Sequence, residues 1–197
     1  MMGNSKDVFK DLVPVQIIGT QRSGSNLLRV MLNQLHSVFA PHPPHILKTF
    51  DPIARFYGNL DDSDNYTELV SDICEFVGKN PVPWLNSQFD PEIVVKYSAG
   101  RSLLDAYKTI HEVNAHANNA RFWFNKSMMN VYFIEYFERN GFKPYYIHLI
   151  RDGRDVALSF RKTIVGEKHM YHLAKQWLED QELSNYYTRK FGATRAI

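Results

Sequence analysis

"VQIIGTQRSGSNLLRVMLNQL", residues 15–35, decides the fold. Val13 to Ile18 is short, rich in β-branched residues and ended by Gly19, the pattern of a buried strand. Asn26 to Leu35 reads as an amphipathic helix, with Leu27, Leu28, Met31, Leu32 and Leu35 at helical spacing. Between them Gly19 and Gly24 stand four residues apart, the spacing of a phosphate-binding loop. Such a loop normally continues with Lys and Ser/Thr, for the β/γ-phosphates and Mg²⁺. Here those places hold Ser25 and Asn26, and the cation comes earlier, at Arg22. The amide cradle and helix start are kept, while the lysine and metal arrangement is not. The stretch suits one phosphate-like group better than a triphosphate chelating Mg²⁺, with Arg22 as cation and Ser23 and Ser25 as hydroxyl donors. An ordinary strand–turn–helix with serine caps would read alike.

Working outward, the same pattern recurs at "KPYYIHLIRDGRDVALSFRK". Tyr145–Ile150 reads as a strand, Asp152-Gly153 as a turn, and "DVALSFRKTI" as a helix start. Arg151, Arg154, Arg161 and Lys162 surround the junction. With Asp152 or Asp155 as cap, Ser159 lies about one turn in, and a second anion has a guanidinium and a hydroxyl to hold it. A solvated basic helix start is the plainer reading of that stretch alone. Two such turns, each after a strong strand, are a rarer coincidence.

Helical patterns also cover Asp64–Gly78, Ser102–Ala117, Met129–Asn140 (stopped by Asn140-Gly141) and His169–Tyr187. In the last, Met170, Leu173, Ala174, Trp177 and Leu178 lie on one side. Arg121–Phe124 is strand-like, and the proline-rich "APHPPHILKTF" reads as loop, as does the stretch marked by Pro81, Pro83 and Pro91. Strands separated by helices predict a layered α/β fold with a parallel sheet, whose ligands sit beyond the carboxyl ends of the strands. The expected organisation is an N-terminal extension, residues 1–12, and one domain, residues 13–197.

A net charge of +2 is too small to argue for a nucleic-acid surface, though it leaves room for a local basic site. The one cysteine, Cys74, allows no intramolecular disulfide and reads as a small buried hydrophobe. No signal-type apolar run opens the chain and no stretch approaches the ~20 apolar residues of a membrane span, so the expectation is a cytoplasmic protein without stable membrane insertion.

The two motifs together resemble those of the sulfotransferases that use 3′-phosphoadenosine 5′-phosphosulfate. In that family the first loop reads Arg/Lys-Ser-Gly-Thr/Ser-x and binds the 5′-phosphosulfate; here it is Arg22-Ser23-Gly24-Ser25-Asn26. A second motif, Arg-x-x-Arg/Lys-Asp-x-x-x-Ser, binds the 3′-phosphate; here it is "RDGRDVALS", with Arg151 and Ser159 in the matching places. The likeness runs over roughly Val13–Tyr187 in layout and is tight only at these motifs. It implies a three-layer α/β fold like that of P-loop NTPases, with a central, mainly parallel sheet flanked by helices. It implies this phosphosulfate as co-substrate, no metal, and donor contacts from Gly19, Thr20, Gln21, Arg22, Ser23, Gly24, Ser25, Asn26, Arg151 and Ser159.

For sulfuryl transfer the leaving oxygen needs positive charge, the sulfuryl oxygens need donors and the acceptor needs a base. Arg22 takes the first role, and Lys126 the second, since family members carry Lys-Thr/Ser at a similar point. Relatives of the small-molecule branch place a histidine base two residues past that lysine; here Met128 stands there. In the carbohydrate and tyrosyl branches a carboxylate in the loop after the first helix is the base. The matching loop here offers no Glu, only His42 and His45, then Asp51. His45 is favoured over His42, because Ile46 and Leu47 would anchor it; the evenly weighted alternative is that both are surface loop histidines.

Trp84, Trp123 and Trp177 are candidates for adenine stacking or acceptor lining, against core packing, and His148 reads as a core or strand-end histidine. The acceptor is expected to be a small-molecule, lipid or carbohydrate hydroxyl or amine. The family's C-terminal strand, helices and Gly-rich loop have no counterpart, and "FGATRAI" resembles the approach to a further strand, so a C-terminally short chain is expected. The alternatives are a P-loop kinase or phosphotransferase, and an inactive nucleotide-binding fragment.

Overall fold

The computed structural model describes residues 8–164 and 166–197. Residues 1–7, the larger part of the expected N-terminal extension, lie outside the described residues. In chain order the elements are β1 (Val13–Gly19), α1 (Ser25–Leu32), β2 (Val38–Phe39), α2 (Ile46–Phe50), α3 (Ser63–Gly78), α4 (Pro91–Tyr97), α5 (Leu103–Ala117), β3 (Phe122–Asn125), α6 (Ile134–Arg139), β4 (Tyr145–Leu149), α7 (Gly153–Arg161) and α8 (Met170–Phe191). Both strand pairs described below are parallel, and helices separate the strands along the chain, so the fold is α/β. The chain divides into two compact units, one made of the described residues up to Val13 with Leu32–Phe124, the other of Pro14–Met31 with Asn125–Ile197. No helix among the described residues is long and apolar enough to cross a membrane.

The first unit pairs β2 with β3, Val38 opposite Phe122 and Phe39 opposite Trp123. α3 starts where Asp62 accepts the amides of Asp64 and Asn65, and it buries Leu69, Val70, Ile73 and Val77 against α4 and α5. Cys74 is buried in the same helix, and burial pushes its thiol up to about 12, as expected of a packed side chain rather than a nucleophile. Trp84 and Trp123 are core residues: Trp84 donates its indole N–H to the His42 carbonyl (2.7 Å), and Trp123 stacks on His111 at 4.8 Å. The described part of the N-terminal extension joins this unit, with Phe9 edge-on to Tyr97 at 5.4 Å.

Two segments expected as irregular contain helices. Ile46–Phe50 forms α2 because the prolines stop at Pro44, and Pro91 opens α4 instead of breaking it. Proline is tolerated at the first helical position, where its missing N–H is not needed, and Asp90 caps that helix by accepting the Glu92 amide at 2.9 Å.

The second unit pairs β1 with β4 in register from Val15 opposite Tyr145 to Gly19 opposite Leu149. The strands therefore end level, and the turn after each begins beside the other. Ile18, Val131, Ile134, Tyr146, Tyr187 and Ala196 form its core, with Leu183 and Phe191 against it. The expected helix Met129–Asn140 is a 3-10 turn, Met128–Phe133, followed by α6. On the far edge of β4, the Ile197 amide donates to the Tyr146 carbonyl and the His148 amide to the Ile197 carbonyl. The terminal residues thus pair in parallel with β4, in line with their reading as the approach to a strand.

Two apolar faces differ from expectation. On α1, Leu27 and Met31 are exposed, as is Leu35 just beyond it, and only Leu28 and Leu32 are half-buried. On α8, Met170 and Leu178 are exposed, and the inward face carries Leu173, Asp180, Gln181, Ser184 and Tyr187.

Candidate functional site

The site grows from the end of β1. Gly19 has φ 122°, and a Cβ there would stand 2.4 Å from the Leu149 carbonyl oxygen, so only glycine lets the strands close up before the turns diverge. Arg22 is held at φ 69°, a left-handed conformation uncommon for a residue with a side chain. Gly24 follows at φ 91°, with open space where a Cβ would point. The first helical bond of α1 runs from the Leu28 amide to the Gly24 carbonyl. The preceding amides of the turn are left without intrahelical acceptors, the usual state of a helix start and the basis of anion binding there. Ser23 Oγ is buried and has no hydrogen-bond partner among the described residues.

The second basic turn meets the first at Arg22. Arg22 Nε donates to Ser159 Oγ at 3.1 Å, and Arg151 Nη1 donates to the Arg22 carbonyl at 3.1 Å. Asp152 caps α7 by accepting the Arg154 amide, and its carboxylate also pairs with the Arg154 guanidinium at 2.6 Å. These bonds hold Asp152 down at about 2. With Asp152 as the cap, Ser159 lies about two turns into the helix, not one, and it is this longer reach that brings its hydroxyl to Arg22. Asp155 is the weaker partner, 3.8 Å from Arg151 Nε.

Lys126 follows β3. Around it Asn125 Oδ1 accepts the Ser127 amide at 2.7 Å, and buried Asn130 donates to Gln16 Oε1 at 2.9 Å and lies 3.4 Å from Asn125 Oδ1. This network fixes the backbone on both sides of Lys126. Burial lowers the ammonium's pKa, and the Arg29 and Arg22 charges lower it further. Three cations share one neighbourhood at the cost of mutual repulsion, which a bound anion would relieve. Ser127 Oγ is buried without a partner among the described residues.

The second unit thus contains Gly19, Thr20, Gln21, Arg22, Ser23, Gly24, Ser25, Asn26, Lys126, Arg151 and Ser159. His42 and His45 belong to the first unit. Both are half-buried rather than surface loop residues, and His45 opens α2 in a left-handed conformation with Ile46 and Leu47 fully buried behind it. Among the described residues no group of three His, Cys, Asp or Glu is placed to hold a metal ion. Sequence reasoning missed Arg29, whose place on α1 looks like a plain polar position, and the α8 residues Asp180 and Gln181, which interrupt its apolar pattern.

Fold and site define an α/β protein whose two basic, Gly-containing turns meet where β1 and β4 end level. Residues 14–196 match the model of a sulfotransferase family, and the chain belongs to that family. Among solved structures it is similar to the sulfotransferase domain from the Synechococcus PCC 7002 olefin synthase, at 20% identity and a TM-score of 0.60, covering 94% of this chain and 65% of that one. It is similar also to the sulfotransferase domain from the curacin biosynthetic pathway, at 20% identity and a TM-score of 0.57, covering 94% and 66%. The chain spans about two thirds of the length of these relatives. No curated protein matches it.

Proposed function

We propose that the chain is a sulfotransferase with 3′-phosphoadenosine 5′-phosphosulfate as donor and a hydroxyl or amine of a small-molecule, lipid or carbohydrate as acceptor. The observation that carries this is the convergence on Arg22. One basic turn offers free amides and the Ser23 hydroxyl, and the second bonds directly to it through Arg151 and Ser159. A donor with phosphate on both its 5′ and 3′ positions matches two cationic turns side by side. A nucleoside triphosphate matches one loop, a lysine and a metal. Asp152, which a kinase reading needs as metal ligand, is instead occupied as helix cap and Arg154 partner.

The donor supplies a sulfuryl group that passes in line from its bridging phosphate oxygen to the acceptor's oxygen or nitrogen, which gives up its proton, with charge spread over the sulfuryl oxygens. Arg22 and the amides from Ser23 to Asn26 stabilise the leaving oxygen, and Lys126 holds the sulfuryl oxygens. Lowering its pKa brings the Lys126 ammonium closer to sharing its proton, which strengthens its hydrogen bonds to such oxygens. His45 is the proposed base, with His42 as second choice; His45→Ala retaining wild-type turnover would rule it out. The single, buried Cys74 fits a cytoplasmic setting.

Calorimetric titration with adenosine 3′,5′-bisphosphate, with and without Mg²⁺, tests the reading. Metal-independent binding, weakened about 100-fold by Arg22→Ala, is the expected outcome; absence of binding by well-folded protein would overturn it.

A further inference from the structure

Four residues of α8, namely Trp177, Asp180, Gln181 and Ser184, recur at the spacing of a single helix face. Asp180, Gln181 and Ser184 are almost entirely buried, an unusual interior for a helix of a small unit. Their bonds lead to the two anion turns. Gln181 Nε2 donates to Thr20 Oγ1 at 3.0 Å, and Thr20 is the first residue after β1. The Gln181 carbonyl oxygen can only accept, so His148 Nε2, 2.9 Å away on β4, donates to it and fixes the amide's orientation. Thr20 is also hydrogen-bonded to Asp180, which accepts from Tyr132 Oη at 2.6 Å. One turn earlier, the Trp177 indole N–H donates to the Arg151 carbonyl at 3.0 Å. The indole ring lies where a Cβ on Gly153 would stand, 3.0 Å away, so glycine at the start of α7 is what lets it seat.

We infer that this face of α8 is a positioning clamp for the donor, in which Gln181 and Asp180 set the Thr20 turn and Trp177 separately sets the Arg151 turn. The inference rests on the donor reading above, with the Thr20 turn taking the 5′ end and the Arg151 turn the 3′-phosphate. The helix touches backbone or first-residue groups of each turn and leaves Arg22, Ser23 and the Arg151 guanidinium to the ligand. A clamp of this kind gives each contact its own signature. Losing the Trp177 bond releases Arg151 and weakens only a ligand that carries a 3′-phosphate. Losing the Gln181 bonds releases Thr20 and weakens both kinds of ligand. A residue that only stabilised the fold would not discriminate between ligands.

The test is calorimetric titration of the full chain, wild type and variants, with adenosine 3′,5′-bisphosphate and with adenosine 5′-monophosphate. Trp177→Phe keeps an aromatic six-membered ring at this position and removes the pyrrole ring with its N–H. It is expected to weaken the bisphosphate about tenfold and to leave the monophosphate unchanged, as loss of one hydrogen bond to a positioned group would. Gln181→Met, of similar volume, is expected to weaken both about tenfold. Trp177→Phe binding both ligands as wild type does, or losing both equally, would overturn the clamp while the donor reading stood. Wild-type protein that bound neither ligand would remove the donor reading and the clamp with it.

Discussion

The two units bury polar side chains to different ends. In the first unit Asn114 accepts the Gln88 amide at 2.7 Å and donates to the Gln88 and Ile110 carbonyls, and His111 Nδ1 donates to the Tyr107 carbonyl at 2.7 Å. Tyr66 Oη bonds Ser98 Oγ at 2.7 Å. Every one of these bonds closes on the unit's own helices and adjoining loops, and satisfies a group that burial would otherwise leave costly. In the second unit buried Gln181 and Asp180, bonded in turn to His148 and Tyr132, meet at Thr20 on the turn of β1, where the Ser23 hydroxyl is buried with no partner among the described residues. Polar burial alone therefore does not mark a site. In the second unit it reaches a turn whose Ser23 hydroxyl has no partner among the described residues, and the proposed donor site rests on that difference.

The comparison breaks most sharply at Arg22. Arg22→Ala removes an exposed guanidinium that no core depends on, so thermal stability should hold within a degree or two while affinity for adenosine 3′,5′-bisphosphate falls by about 100-fold, the scale of a charge-assisted bond. Equal losses in melting temperature and affinity would contradict the division between the units.

His111 should behave in the opposite way. It is fully buried, and burial pulls its pKa down to about 4. The unfolded chain binds its proton at about 6.5, so stability is intact above that value and falls as pH drops toward 4, by an amount on the order of 3 kcal/mol. His111→Phe should flatten that acid limb in chemical denaturation at stepped pH and leave nucleotide affinity unaltered.

Smaller effects sharpen the picture. Ser159→Ala removes the hydroxyl that Arg22 reaches, and titration should show a three- to tenfold weaker bisphosphate, a neutral hydrogen bond's share (about 0.5–1.5 kcal/mol). Burial raises the Asp180 pKa, so the folded protein keeps that proton to higher pH than the unfolded chain does. Stability then declines as pH rises from the ordinary aspartate value, about 3.9, through the raised one. Asp180→Asn should remove that decline in the same denaturation series.

Much of this was legible in the sequence for a physical reason. β1 and β4 are short β-branched or aromatic runs, each ended by a polar, Gly-containing turn, and both basic turns lie where strands end. The level ending that joins them at Arg22 depends on strand register, which no local pattern carries. α2 was hidden because prolines before a helix look like prolines within a loop. The inward face of α8 was assigned to its apolar residues because periodicity rewards hydrophobes. The residues that turn inward there are Asp180, Gln181 and Ser184, whose burial is offset by bonds to distant chain segments. The α1 face misled in the other sense, since an apolar stripe at helical spacing stands exposed.

The central claim is that two turns bind the two ends of one donor. It is tested most directly by the ratio of affinities for adenosine 3′,5′-bisphosphate and adenosine 5′-monophosphate, measured by calorimetry on wild type and Arg151→Ala. The account predicts that wild type prefers the bisphosphate by about 10- to 100-fold and that Arg151→Ala binds the two alike, with its monophosphate affinity close to wild type. A wild-type protein that binds both nucleotides equally, or an Arg151→Ala variant that keeps the full preference, would contradict it.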